Sequence, residues 1–510
     1  MPEVPQNPLE FFLQNAASIG PPLHLILWGL VILCWGFWTL PRNGGHGLLY
    51  RFLRLFQHPA VLAVGGLTMA SLQLYRLWGV NSGPAFYNMI TLDSFAMYFD
   101  MLFLVAALLV VIMSYKYLDI EEEQHTEYYA LILFATAGMM FMAGAIDLVS
   151  LFVSLELMSI ATYVLVGFLR GKKRSNEASL KYFLLGAFST GIILYGMSLV
   201  YGLGGSTNLN EIGRQIAQLE DNSLLTLSLL MMMAGLCFKI AAVPFHMWVP
   251  DVYEGAPTPI TAFMSVAVKA AAFAIFFRIL FVAFEGLWEL YVFPLALISM
   301  VTITLGNVAA LTQNNVKRLL AYSSISHAGF VLMGVVAGTE RGITASAMYL
   351  LAYTFMNLGI WAGVILLRRK DIPGERVEDF DGLFFRHPAV AVLMLVFFLS
   401  LAGIPPLAGF IAKYYVFSAV LEVAFTQGEP YSSLMVWLAV VGALNVVVSI
   451  FYYLRIVVSM FMKTEYLPVP LSFSKGLVVV LVVTGVFTLL IGVYPEPFIR
   501  LAQAVNLPLI

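Results

Sequence analysis

Ser223-Leu-Leu-Thr-Leu-Ser-Leu-Leu-Met-Met-Met-Ala-Gly235-Leu-Cys-Phe-Lys239-Ile-Ala-Ala-Val-Pro244-Phe-His-Met247 decides the class of this chain. A helix needs about 20 apolar residues to cross a ~30 Å hydrocarbon layer, and this run has that length. It carries one lysine far from either end, and a proline shortly after it. Proline removes a backbone donor and frees a carbonyl. Such a break survives at membrane depth only inside protein or beside a water-filled cavity. The run is therefore one span of a polytopic helical membrane protein. The whole chain agrees: 61% of its 510 residues are hydrophobic and 11% charged, where a soluble domain carries about 25% charged residues. Mean hydropathy is +0.89. A water-soluble enzyme is excluded. The runs do not alternate apolar and polar residues, so a β-barrel is excluded too. A net charge of −2 gives no case for nucleic acid.

Fourteen such runs are readable, at about 19–40, 58–79, 92–115, 127–144, 147–169, 178–203, 223–247, 257–282, 290–311, 317–338, 342–367, 389–422, 432–461 and 473–494. The predicted fold is all-α and polytopic, a single membrane domain over 1–510. The twelfth run is too long for one crossing, and Pro405-Pro406 interrupts it. With fourteen spans, one set of loops holds seventeen basic residues, from Arg42, Arg51 and Arg54 through Lys317, Arg318 and Arg368 to Lys475. The other set, span ends included, holds five: Arg76, Arg214, Arg278, Arg341 and Arg500. The basic side faces the cytoplasm, which puts both termini outside. The N-terminus has no basic segment of the signal-peptide kind. Asp119 and Glu121-Glu122-Glu123 read as a solvated acidic loop, and Asp100 as a residue that snorkels outward.

Five basic residues remain within spans: Lys181, Lys239, Lys269, Lys413 and Arg455. Lys181 and Arg455 are near enough to the basic face to snorkel; the other three lie deeper. Glu156 is roughly 13 Å from its span's end at 1.5 Å per residue, and His327 is also deep. A charge at a helix centre costs roughly 2.5–3.5 kcal/mol, so something offsets it: a carboxylate such as Glu156, internal water, or loss of the proton. Burial lowers a lysine's pKa in general. A row of such lysines can pick up and release protons, which reads as a relay. The plain alternative is structural, with charges pairing helices and His327 bonded to Ser324 or Ser326.

Helix breaks sit beside these charges. Gly235 and Pro244 bracket Lys239, and Gly403-Ile-Pro405-Pro406-Leu-Ala-Gly409 precedes Lys413. Paired interrupted spans are the mark of inverted-repeat transporters. Lys239 to Lys413 is 174 positions and Glu156 to His327 is 171. Both spacings shift by five spans, an odd number that inverts topology. Two inverted five-helix repeats, 127–282 and 290–462, are expected, with 1–115 ahead of them and a last helix at 473–495.

Val243-Pro-Phe-His246-Met-Trp248-Val-Pro250-Asp251-Val-Tyr253-Glu254-Gly255-Ala-Pro257-Thr-Pro259-Ile-Thr-Ala-Phe263 resembles the signature of the antiporter-like subunits of respiratory complex I, the proton-translocating NADH:quinone oxidoreductase. Ser175-x-Glu177-Ala178-x-Leu-Lys181-Tyr182-Phe183 and Leu319-Leu-Ala-Tyr-Ser-Ser-Ile-Ser-His327 are similar to the same family, and the resemblance covers roughly 90–465. Lys413 stands where the M branch carries glutamate. The longer L branch has a lateral helix absent here, so the pattern is that of the N branch. The resemblance implies a proton relay of Glu156, Lys181, Lys239, Lys269, His327 and Lys413, with Glu156 tuning Lys239. It implies broken helices 7 and 12 and a bacterial inner-membrane location. It implies as partners antiporter-like subunit M and the small membrane subunits. NADH, FMN, iron–sulfur clusters and quinone are expected in partner subunits and not here. Consistently, Cys34 and Cys237 cannot form a metal cluster, and no dinucleotide fingerprint follows a strand. A multisubunit cation/proton antiporter, a membrane-bound hydrogenase and a stand-alone solute carrier are the alternatives. Moving one charge against the membrane potential costs about 2.3 kcal/mol per 100 mV, so a complex I subunit needs a driver outside itself.

Overall fold

A computed structural model describes residues 8–36, 58–79, 83–217, 223–370, 374–464 and 471–505. Arg42, Arg51 and Arg54, the end of the first expected span and the extreme N-terminus lie outside the described residues. Among those described, fourteen helices are long and apolar enough to cross a membrane. Most begin and end within a few residues of the expected limits: the fifth span is Leu148–Val166, the eighth Thr258–Ala283, the tenth Val316–Ala337. The first helix differs. It starts at Pro8, where a prolyl first turn needs no donor, about eleven positions ahead of the expected limit.

The seventh span stops at Ile240, and a short helix, Trp248–Gly255, lies beyond the unwound residues. The twelfth is split into Pro388–Ala402 and Ala408–Thr426. Ala241 (φ 67°) and Gly403 (φ 88°) take the left-handed conformation just past the two breaks. The eighth span (Thr258–Ala283) is wholly buried, and the eleventh (Glu340–Leu367) is buried from Ala345 onward. The eighth contains two π-helical turns, Met264–Val268 and Ile279–Ala283, flanking Lys269–Arg278. Both ends of that inner segment carry a buried cation.

Spans four to eight form a closed ring, each packed on the next and the eighth on the fourth. Spans nine to thirteen form a second ring with the same order of neighbours. The backbone gives the register of this inverted pair. Asp147, which caps the fifth span, bridges Asn208; Asn315, which caps the tenth, bridges Arg376. Each residue is 168 positions from its counterpart (147 to 315, 208 to 376). The bonds beside them repeat as well. Leu148 N to Thr207 O (2.8 Å) matches Val316 N to Glu375 O (2.6 Å), and Leu209 N to Ile146 O (3.0 Å) matches Val377 N to Asn314 O (3.1 Å). Gly138 and Gly306 also correspond. A Cβ on either would lie 2.7 Å from a backbone nitrogen of the adjoining span, Met158 N or Ser326 N. The missing side chain is what lets each first pair of spans touch.

This register corrects the spacings read from the charges. The counterpart of Glu156 is Ser324, and that of His327 is Ser159. Lys239 precedes its break and Lys413 follows its own, so the two lysines are not equivalent positions. The repeat lives in the backbone, and the charges are placed on it asymmetrically.

Two arginines, 177 positions apart, find acceptors that keep this register. Arg278 Nε donates to Ala143 O at the end of the fourth span (2.6 Å). Arg455 donates to Leu311 O (3.2 Å) and to Gln313 O at the end of the ninth. Ala143 and Leu311 are again 168 apart. Each arginine satisfies carbonyls that a helix C-terminus leaves unpaired. Arg278 is therefore no loop residue. It is 1% exposed, and its guanidinium grips Asp93 at 2.8 and 3.0 Å. Asp100 does not snorkel: it is buried, and its Oδ1 has no hydrogen-bond partner among the described residues. The acidic loop is not simply solvated either. Glu121 is buried between Lys172 and Arg368, and the buried Lys317 donates to Glu254 O and Ala256 O and pairs with Glu375 at 3.7 Å.

Candidate functional site

The fifth and tenth spans are the spines of the site. On an α-helix, residues three or four apart share a face. The fifth presents Glu156, Ser159 and Tyr163 to the seventh. Lys239, the penultimate residue of the seventh span, donates to Ser159 Oγ at 2.8 Å, with Nζ 5.9 Å from the Tyr163 ring. Glu156 lies one turn before Ser159 on the same helix face. It makes no ion pair among the described residues, and its Oε1 is buried without a hydrogen bond.

The tenth span presents Ser324, His327 and Phe330 at intervals of three. Lys269 donates to Ser324 O (2.6 Å) and Oγ (2.5 Å). His327 is bonded to Tyr349 and Tyr453, not to Ser324 or Ser326 as the sequence suggested. Lys413 lies 5.3 Å from the Phe330 ring and donates to Leu401 O and Ala402 O, both at 3.0 Å. Those carbonyls end the first half of the broken twelfth span, where the helix dipole favours a cation. One helix face thus connects Lys269, His327 and Lys413.

Lys239, Lys269 and Lys413 are each 4–5% exposed. All three are held by neutral oxygens, and none has a carboxylate in ion-pair contact among the described residues. The structural cations Arg278 and Arg368 are clamped by acids. A carboxylate partner holds a lysine as a cation, whereas hydroxyls and carbonyls accept a hydrogen bond from an ammonium or a neutral amine alike. Among the described residues, these three are thus the buried lysines with no acid in contact, and their partners permit proton loss.

Lys181 stands apart from this row. It is half-exposed and paired with Asp251 (2.8 Å) and Glu177 (2.7 Å) in a cleft of about 210 Å³ that also carries Arg174, Glu254 and Arg318. Asp251, on the short helix beyond the seventh span, is held below its usual carboxylate range. Partial burial opposes ionisation, and hydrogen bonds from Lys181 and Arg318 more than offset it. A depressed folded pKa means stability present above the unfolded value of 3.8 and lost as pH falls through the folded one. Asp251→Asn is expected to lower the melting temperature of the detergent-purified protein at neutral pH. The gap to wild type should close only under acid below the carboxylate range. A gap that is unchanged there, or absent at pH 7, contradicts the pairing.

Gly403 sets the geometry around Lys413. Its φ of 88° suits glycine, and a Cβ would meet Lys413 Cδ at 2.9 Å and Nζ at 3.1 Å. Gly403→Ala is expected to cost about 1–3 kcal/mol through the strained backbone and to push the ammonium off its two carbonyls. Chemical or thermal unfolding of the purified variant checks the first effect, and a structure of it the second.

Sequence reasoning missed Ser159, Tyr349 and Tyr453, and set Ser324 beside His327 where it holds Lys269. Ser159 was reachable from helix periodicity beside Glu156. The two tyrosines come from the eleventh and thirteenth spans, and no local pattern marks them among the 24 tyrosines of the chain.

A transmembrane family described as NADH:quinone oxidoreductase/Mrp antiporter matches residues 145–442. Over 95% of its length the chain is 48% identical to NADH-quinone oxidoreductase subunit N 2 of Solibacter usitatus, covering 96% of that protein. Over 87% it is 50% identical to subunit N 1 of Koribacter versatilis, covering 88% of it. Among solved structures it superposes with a TM-score of 0.77 on a chain of respiratory complex I from Thermus thermophilus with bound aureothin, at 30% identity over 95% of this chain and 99% of that one. A chain of the Mrp complex from a Dietzia species, at 20% identity, TM-score 0.76 and 97% coverage of both chains, shares the fold.

Proposed function

The chain belongs to the NADH:quinone oxidoreductase/Mrp antiporter family, and from that premise we propose that it is the N-type membrane subunit of a proton-pumping NADH:quinone oxidoreductase. Protons pass along Lys239, Lys269, His327 and Lys413, with water between the first two lysines. Glu156 tunes Lys239, and Lys181 with Asp251 gathers protons at the cleft on the basic-loop side. That side is the cytoplasm, the membrane is a bacterial inner membrane, and the termini are outside. Quinone reduction in partner subunits drives the transfer. NADH, FMN, the iron–sulfur clusters and quinone belong to those partners, which include subunit M and the small membrane subunits.

The observation that carries this reading is the set of three buried lysines held by neutral oxygens alone. A scaffold has no use for buried charge that other residues do not neutralise. Purification of the tagged chain in mild detergent tests it. The expected result is a complex with flavin and iron–sulfur subunits that reduces quinone with NADH and acidifies vesicles. Recovery with cation-antiporter or hydrogenase subunits, or solute uptake by the chain alone, overturns it.

A further inference from the structure

His327 has both ring nitrogens engaged by hydroxyls. Tyr349 Oη is 2.6 Å from Nδ1, and Tyr453 Oη is 3.1 Å from Nε2. Tyr453 is bonded in turn to Ser323 Oγ. All four residues are 3% exposed or less. A histidine kept only for packing needs one hydrogen bond to fix its tautomer. A carbonyl would fix it, since it accepts only. A hydroxyl donates or accepts, so the imidazole proton can sit on either nitrogen.

The two tyrosines reach the imidazole from opposite helix ends. Tyr349 is nine positions after the eleventh span starts at Glu340, and Tyr453 is nine before the thirteenth ends at Met462. At 1.5 Å per residue each is about 14 Å from that helix end, so both lie near mid-span, Tyr349 counted from the start of its helix and Tyr453 from the end of its own. On the basic-loop side the polar groups continue. Tyr452, its ring 4.3 Å from that of Tyr453, donates to Asn307 Oδ1 at 2.9 Å, near the end of the ninth span.

We propose that Tyr349 and Tyr453 are relay residues, making Tyr453–His327–Tyr349 a hydrogen-bonded proton wire through the second repeat in which the imidazole stays uncharged. The proposal rests on the reading that protons cross this repeat. A proton arriving at Tyr453 Oη displaces the hydroxyl proton onto Nε2. The Nδ1 proton passes to Tyr349 Oη, and the Tyr349 hydroxyl proton leaves toward the opposite face. One proton enters and one leaves; only O–H and N–H bonds change, and no electron moves. Rotation of the hydroxyls and return of the imidazole to its Nδ1–H tautomer, one proton lost at Nε2 and one gained at Nδ1, restore the start. No carboxylate pairs with His327 among the described residues, and Lys269 and Lys413 flank it along the tenth span, so an imidazolium would meet only like charge.

Tyr349→Phe and Tyr453→Phe, each in the intact complex, remove one hydroxyl and keep the ring. Each is expected to lower NADH-driven proton translocation in vesicles about tenfold or more at normal subunit content. Lys239→Met is measured in parallel. Wild-type pumping in both Phe variants, with Lys239→Met inactive, overturns the wire and leaves the proton path standing. Wild-type pumping in all three overturns both. A second arm replaces Tyr453 by 3,5-difluorotyrosine, which retains the hydrogen bonds and acidifies the hydroxyl. The wire requires a changed solvent deuterium isotope effect on pumping; an unchanged one means that Tyr453 only positions His327, and the wire falls. That arm also decides the matter if the Phe variants fail to accumulate.

Discussion

Lys239→Met is expected to abolish energy-coupled proton translocation while the subunit still assembles. Methionine keeps the unbranched apolar stem and removes the amine. The hydrogen bond to Ser159 (2.8 Å) is lost, and so is the basic group facing Glu156. A positioned acid–base group contributes about 10²–10⁴-fold to a proton-transfer step, and here no neighbouring side chain replaces it. Stability moves little, for a physical reason. Lys239 clamps no carboxylate, so its removal strands no opposite charge in ion-pair contact. Replacing a buried charge by an apolar residue of similar volume is often neutral or stabilising. Ser159 can turn its hydroxyl to a carbonyl of its own helix, as Ser154 does toward Ser150 O. The check is NADH-driven acidification of membrane vesicles, normalised to subunit content and to NADH oxidation. Normal acidification in an assembled variant would remove Lys239 from the path.

The fold was largely legible because the bilayer imposes one rule on every segment: satisfy the backbone within the helix and keep charge out. That rule fixes where helices start and stop, and so the fifth and eighth spans fall within a few residues of their expected limits. The three deep lysines were legible for the same reason, since each breaks the rule in plain view. What was not legible is what touches them. Arg278 ends an apolar run, and its nearest acid, Asp93, is 185 positions away. Counting loop charges therefore assigned it to the outside. Tyr349 and Tyr453 look like any other aromatic residue of a span until three helices bring them to one imidazole. The repeat was sensed through charges, yet its register is carried by uncharged backbone bonds at Asp147, Asn208, Asn315 and Arg376. Lys181 was grouped with the relay by motif. Its partners Asp251 and Glu177 mark it as a rim residue, which apolar periodicity does not reveal.

Arg278→Met is expected to do the opposite of Lys239→Met: the subunit should fail to accumulate. The same chemistry is removed, a buried cation replaced by a thioether, but the partners differ. The guanidinium holds both oxygens of Asp93, caps the fourth span through Ala143 O and lies 4.7 Å from the Phe95 ring. Asp93 also caps the third span through Ala96 N at 2.8 Å, so the arginine ties three spans together. Breaking a buried pair from one side costs about 3–5 kcal/mol, because the other charge is left uncompensated. A loss of this size is a large share of the 5–15 kcal/mol that holds a folded domain. The arginine of the second repeat supplies the control. Arg455 binds carbonyls only, so Arg455→Met strands no acid and should cost no more than about 1–3 kcal/mol. Adding Asp93→Asn to Arg278→Met should recover part of the loss, as removing the stranded charge must if the charge is the cause. Subunit content of membranes and melting of the purified variants measure all three. Equal accumulation of Arg278→Met and Arg455→Met would show that the Asp93 pair is not what holds these spans.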